Sequence, residues 1–111
     1  MAIRSAGFVT TTAGVLVRLT DNETDPTANL DAHSLMAEAL QGNTGRVYIG
    51  SADMVRATGV GVYAVIPIPT NNILPTFTAT IAYAPAALLV NELWLDVDQD
   101  TDGVLVSYVV G

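Results

Sequence analysis

Glycine or proline interrupts this chain every few residues, at Gly7, Gly14, Gly42, Gly45, Gly50, Gly59, Gly61 and Gly103 and at Pro26, Pro67, Pro69, Pro75 and Pro85. The intervals are short and rich in Val, Ile, Thr and Tyr. Such runs, bounded by turn residues, predict an all-β fold: an antiparallel β-sandwich, Greek-key or jelly-roll-like, of about seven to nine strands. The clearest period-two pattern is Thr76 to Tyr83, with Phe77, Ala79, Ile81 and Tyr83 on one face and Thr76, Thr78 and Thr80 on the other. Gly14–Thr20, Arg46–Gly50 and Gly61–Ile66 read as further strands, the last stopped by Pro67-Ile68-Pro69. Ala87–Asp96 and Val104–Val110 are the final two runs, and the acidic stretch from Asp21 to His33 is a loop.

One segment fits two periods. Asp31 to Asn43 places Ala32, Leu35, Met36, Ala39 and Leu40 at helical spacing, with Asp31 as a possible N-cap. As a strand, Ser34–Ala39 would instead pair with Arg46–Gly50 across a hairpin loop, with Asn43 and Gly45 at its positive-φ positions.

At 111 residues the chain is one domain, here divided into an N-terminal arm, 1–13, and a sandwich domain, 14–111. Half of its residues are hydrophobic and only 14% are charged, so partner subunits are expected to cover part of the apolar surface. The net charge is −7 and lysine is absent, which argues against nucleic-acid backbones and anionic membranes as partners. No apolar run is long enough to span a bilayer as a helix, and the first residues lack the layout of a secretory signal. Without cysteine there is no disulfide or thiolate chemistry, and no cofactor is expected.

Asp96-Val-Asp-Gln-Asp-Thr-Asp-Gly103 invites comparison with a calcium loop. Counting from Asp98, the ligand positions are Asp98, Asp100 and Asp102, but the place of the bidentate glutamate falls on Val109 and the flanks alternate like strands. The expectation is a hairpin turn closed by Asp102-Gly103, its carboxylates hydrated at the tip, with Asp98, Asp100 and Asp102 as weak metal candidates.

No catalytic constellation stands out. His33 is the only imidazole, no serine lies in a nucleophile elbow, and Gly59-Val-Gly61 is too short to cradle a phosphate. Arg18, Arg46 and Arg56 lie in or beside strands and are candidates for pairing with acids of a neighbouring subunit. Trp94 is a candidate core or interface residue.

Asn43-Thr44-Gly45 leading into Val47-Tyr48-Ile49-Gly50, the Ser51–Asp53 turn, and the final Leu93-Trp94 and Val104–Tyr108 strands together resemble a pattern in small structural proteins of tailed bacteriophages. The resemblance spans roughly residues 34–66 and 91–110. It implies a non-enzymatic virion protein, of capsid-decoration, cement or fibre-base type. Its implied partners are its own copies, a trimer being favoured, and the major capsid protein. It also implies that Ser34–Ala39 is a strand. The alternative is a carbohydrate- or receptor-binding module of a fibre or spike. The long apolar stretch 67–90 departs from the pattern and fits an extra subunit contact.

Overall fold

The computed structural model describes residues 2–80 and 88–110. Its strands are β1 (Ala2–Thr10), β2 (Val17–Arg18), β3 (Asp31–Ala32), β4 (Ser34–Ala39), β5 (Val47–Val55), β6 (Val60–Ile66), β7 (Thr76–Thr80), β8 (Leu88–Leu89), β9 (Trp94–Val97) and β10 (Gly103–Val110). A single 3-10 turn, Val90–Glu92, separates β8 from β9.

The pairing is nested: β1 with β10, β2 with β9, β3 with β8, β4 with β7 and β5 with β6, all antiparallel. The chain is thus one long ribbon doubled back at the β5–β6 turn. Rolling the ribbon adds two more antiparallel ladders, β10 with β4 and β9 with β5. The product is two four-stranded sheets, β1-β10-β4-β7 and β2-β9-β5-β6, and a two-residue ladder of β3 and β8. This is the antiparallel β-sandwich expected, and its strand order has the nesting of a jelly roll. The ten strands are one more than the upper end of the expected range, and three of them, β2, β3 and β8, are only two residues long.

Alternation along each strand fills the core. Val104, Val106 and Tyr108 of β10 point inward beside Leu35, Ala37 and Ala39 of β4, with Val47 and Ile49 of β5 and Leu95 and Val97 of β9 from the other sheet. The two periods of Ser34–Ala39 resolve in favour of the strand: Leu35, Ala37 and Ala39 are buried while Met36 is exposed. With β10 on one side and β7 on the other, its backbone groups are satisfied without a helix. In β7, Phe77 and Ala79 lie opposite Ala37 and Leu35, as the period-two pattern predicts; Ile81 and Tyr83 lie outside the described residues.

Several local expectations differ from the structure. Ser34–Ala39 does not form a hairpin with Arg46–Gly50, because β4 and β5 belong to different sheets and residues 40–46 cross between them. Neither Asn43 nor Gly45 has positive φ. The final acidic loop is likewise a crossover, since β9 and β10 also lie in different sheets. There the left-handed residue is Thr101, at φ 70°, and Gly103 serves close approach: a Cβ on it would overlap the Val9 carbonyl and stand 2.8 Å from Thr10 Cα. Lastly, the segment read as an arm contributes β1, paired with β10 from Ala2↔Val110 to Thr10↔Gly103. The expected strand 14–20 shortens to Val17–Arg18, and the run 87–96 splits into β8 and β9.

The two lateral sides of the sandwich differ. On the β1–β2 side the free edge is blocked: β1 bulges at Gly7 (φ 78°), and the Asn22 side-chain amide donates to the carbonyls of Ala6 (3.1 Å) and Phe8 (2.7 Å). These are edge groups that another strand would otherwise use. On the opposite side β6 and β7 are the outer strands, joined by residues 67–75.

Gly103→Ala is expected to destabilise the protein by about 3 kcal/mol, because the new methyl group pushes β1 off β10. Urea unfolding monitored by tryptophan fluorescence will measure it; a change under about 1 kcal/mol would show that β1 can yield without loss.

Candidate functional site

Three crossovers between the sheets, 11–16, 40–46 and 98–102, meet at one end of the sandwich. Backbone that leaves a ladder loses its partners, and buried amides must find acceptors elsewhere. Asp96 at the end of β9 and the aspartates of the last crossover supply them. Asp102 is 4% exposed, and its carboxylate accepts from Thr44 N (3.1 and 3.2 Å) and Gly45 N (2.8 Å). Asp96, equally buried, accepts from Gly14 N at 2.9 Å and Val97 N at 2.8 Å. Asp100 accepts from Ala13 N at 3.0 Å. The backbones join the same seam, with Thr11 N donating to Asp102 O and Thr101 N to Thr11 O.

Asp98 faces a different set. Its Oδ2 accepts from Arg46 Nε and from the Tyr48 hydroxyl, each at 3.2 Å, and its Oδ1 lies 3.5 Å from Arg56 Nη1. Arg56 also donates from Nη1 to the Val97 carbonyl and stands 3.9 Å from Asp96. The exposed Arg46–Asp98 contact is worth little by itself; the half-buried Arg56 bridges two carboxylates and is the anchoring member.

Sequence reasoning placed Asp96 in a strand and Asp98, Asp100 and Asp102 in the loop after it, as observed, but not in their roles. Asp100 is exposed as a tip residue would be, whereas Asp102, like Asp96, is a buried fastener. Asp98, Asp100 and Asp102, the weak metal candidates, bind three different parts of the chain. Among the described residues no group of three acidic or imidazole side chains is arranged to hold an ion. Arg46 and Arg56, expected to meet a neighbouring subunit's acids, meet acids of their own chain. Arg18 lies 4.5 Å over the Trp94 ring and donates to the Asn91 carbonyl, so Trp94 is half-buried under a cation. His33 is exposed at the start of β4.

The amides were not singled out for these roles. Asn43 is buried and exchanges two hydrogen bonds with Gly103, donating to its carbonyl and accepting from its N–H, as a paired strand residue would. Asn91, also buried, accepts from Leu30 N. No local pattern marks them, because their partners lie 60 residues or more away in the chain.

A second feature is a cleft of about 220 Å³ lined by Arg4 of β1 and by the loop after β2, among its residues Thr20, Glu23, Asp25 and Asn29. The Tyr108 hydroxyl donates to Glu23 at 2.8 Å, and Arg4 lies 5.8 Å from the Tyr108 ring centre. Burial pushes the phenols of Tyr48 and Tyr108 above their ordinary value, and the carboxylates they bond, Asp98 and Glu23, push the same way. Neither arrangement brings a nucleophile to a base.

The remaining distinctive surface is apolar. Ile3, Phe8 and Met36 are exposed in the first sheet, and Val55, Val60, Tyr63 and Val65 in the second, followed by Ile68 and Ile73.

No protein-family model matches this chain, and no curated protein or solved structure is significantly similar to it.

Asp102→Ala leaves two backbone donors without their acceptor and is expected to cost about 3 kcal/mol, whereas Asp100→Ala, exposed and with one bond, is expected to cost about 0.5 kcal/mol. Equal losses in chemical denaturation would refute the division between fastener and surface acid. The tyrosines set an alkaline limit. A raised folded-state value favours the neutral phenol, so their contribution is full below the ordinary pH of about 10 and is lost as pH rises through the raised values. Thermal melts should therefore fall more steeply above pH 10 for the native protein than for a Tyr48→Phe, Tyr108→Phe double variant; parallel curves would contradict the coupling.

Proposed function

We propose that this chain is a non-enzymatic structural protein of a tailed-phage virion, a capsid-decoration subunit that acts by forming a homo-oligomer and docking on the capsid lattice. The observation that carries the reading is where the polar side chains go. The loop aspartates and three of the four arginines are engaged inside the chain, holding crossovers and Trp94, while large apolar side chains stay on the outside. Such a distribution suits a surface that is covered by protein. The double-sheet jelly roll is also an architecture of viral coat and lectin domains, which is support by analogy of fold alone. The trimeric state and the virion setting rest on the sequence resemblance.

The same analogy admits lectins, and so the carbohydrate- or receptor-binding reading. Its weakness is the aromatic platform. Trp94 is covered by Arg18, and the exposed aromatics among the described residues, Phe8 and Tyr63, belong to different sheets.

Purified capsids stripped of accessory proteins and mixed with the recombinant chain are expected to carry it down on pelleting, with saturation at a fixed ratio to the capsid protein. Binding that never saturates, or none, rejects the decoration role.

A further inference from the structure

The charges of this chain are unevenly placed. From residue 57 to residue 91 there is no Asp, Glu, Lys, Arg or His, although the whole chain carries −7. The fold gathers that stretch. It supplies β6, the outer strand of one sheet, β7, the outer strand of the other, and the 67–75 connection between them. The outer strands on one lateral side of the sandwich are therefore uncharged; charge enters only on the adjoining strands, at Glu38 of β4 and Asp53 of β5, and at Arg56 in the β5–β6 turn. Val60 (65% exposed), Tyr63 (62%) and Val65 (46%) project from β6, and Ile68 (44%) and Ile73 (67%) from the connection.

We infer that this β6–β7 side is the contact between copies of the chain. The inference rests on the homo-oligomeric reading above and assigns its surface. Three observations select a second copy as the occupant. First, two molecules of net charge −7 repel, and desolvating a carboxylate between them is costly, so copies meet best where neither carries charge. A basic partner would gain nothing here and would seek the acidic loops instead. Second, the exposed apolar side chains offer on the order of 500 Å² per copy, and the adjoining strand edges add more, against the roughly 800 Å² per partner of a standard interface. Third, the alternative side is closed to strand addition by the Gly7 bulge and the Asn22 amide, and it carries Arg4, Arg18 and Glu23. Contact on the β6–β7 side proceeds through side chains more than through a continuous ladder, because β6 is itself bulged where Tyr63 stands between the residues paired with Gly50 and Ile49.

Sedimentation velocity across a micromolar concentration series tests this. The native chain is expected to sediment as an oligomer, and the double variant Val60→Glu, Tyr63→Glu to need at least 100-fold higher concentration to assemble. Both positions are exposed, so circular dichroism of the variant should be unchanged; Ile73→Glu, in the connection, provides a second probe should the strand variant misfold. Phe8→Glu, on the outer face of the first sheet, should assemble as the native chain does. If the β6 and Ile73 variants assemble normally while Phe8→Glu does not, the copies meet on the other face, which overturns the inference and leaves the oligomeric reading intact. A native chain that is monomeric throughout overturns both.

Discussion

A ribbon rolled into two sheets must cross from one sheet to the other, and each crossing strips backbone amides of their ladder partners. The stability of this molecule depends on what replaces them. At one end the replacement is a set of carboxylates and one side-chain amide: Asp96 for Gly14, Asp100 for Ala13, Asp102 for Thr44 and Gly45, and Asn43 for Gly103. Carboxylates suit this place because each accepts several N–H bonds, and charge-assisted bonds are stronger than neutral ones. Among the described residues no buried side-chain nitrogen or oxygen lacks a partner. The nested pairing of the strands and the bonding of the crossovers are therefore one solution.

Close packing at the same end accounts for two glycines. Gly103 lies under Val9 and Thr10, and a Cβ on Gly45 would stand 2.8 Å from Gln99 Cγ. Both positions bring the acidic crossover against a neighbouring segment, so backbone without side chains is required where the carboxylates reach furthest. Asp102-Gly103 has the look of a turn dipeptide, yet each half does something else: the aspartate binds another loop and the glycine makes room for β1.

This separates what the sequence makes legible from what it hides. Alternation is local, so the inward sets Val104, Val106 and Tyr108 of β10 and Phe77 and Ala79 of β7 follow directly from period two. The strand character of Ser34–Ala39 is ambiguous locally, because Leu35, Met36, Ala39 and Leu40 fit a helix, and it is decided by β10 and β7 arriving on its two edges. Pairing is non-local. Ala2 lies opposite Val110, and no short-range signal could say that residues 2–10 would be a sheet edge. The aspartate spacing is visible, but the same spacing serves a hydrated tip or a buried seam. What buries Asp96 and Asp102 is the arrival of residues 11–16 and 40–46 from distant positions. Asn22, which closes the β1 edge, is one polar residue in a polar loop and carries no mark of its role.

The surface follows from the interior. Charged side chains are few in this chain, at 14% of residues, and the crossovers claim several of them. Those that remain exposed lie mostly in the loop after β2 and at the acidic end, with Asp53 on β5, because the segments forming β6 and β7 contain none. An isolated sandwich usually guards its outer strands with charge. Here one edge is guarded by an amide and a bulge and the other has bulge and flanking prolines but no charge at all. Placing carboxylates where the fold requires acceptors thus leaves one side of the molecule neutral, and a neutral side on an otherwise acidic body is the place where like molecules approach with least repulsion. The interaction that closes the roll and the surface open to association are set by the same uneven distribution of acids.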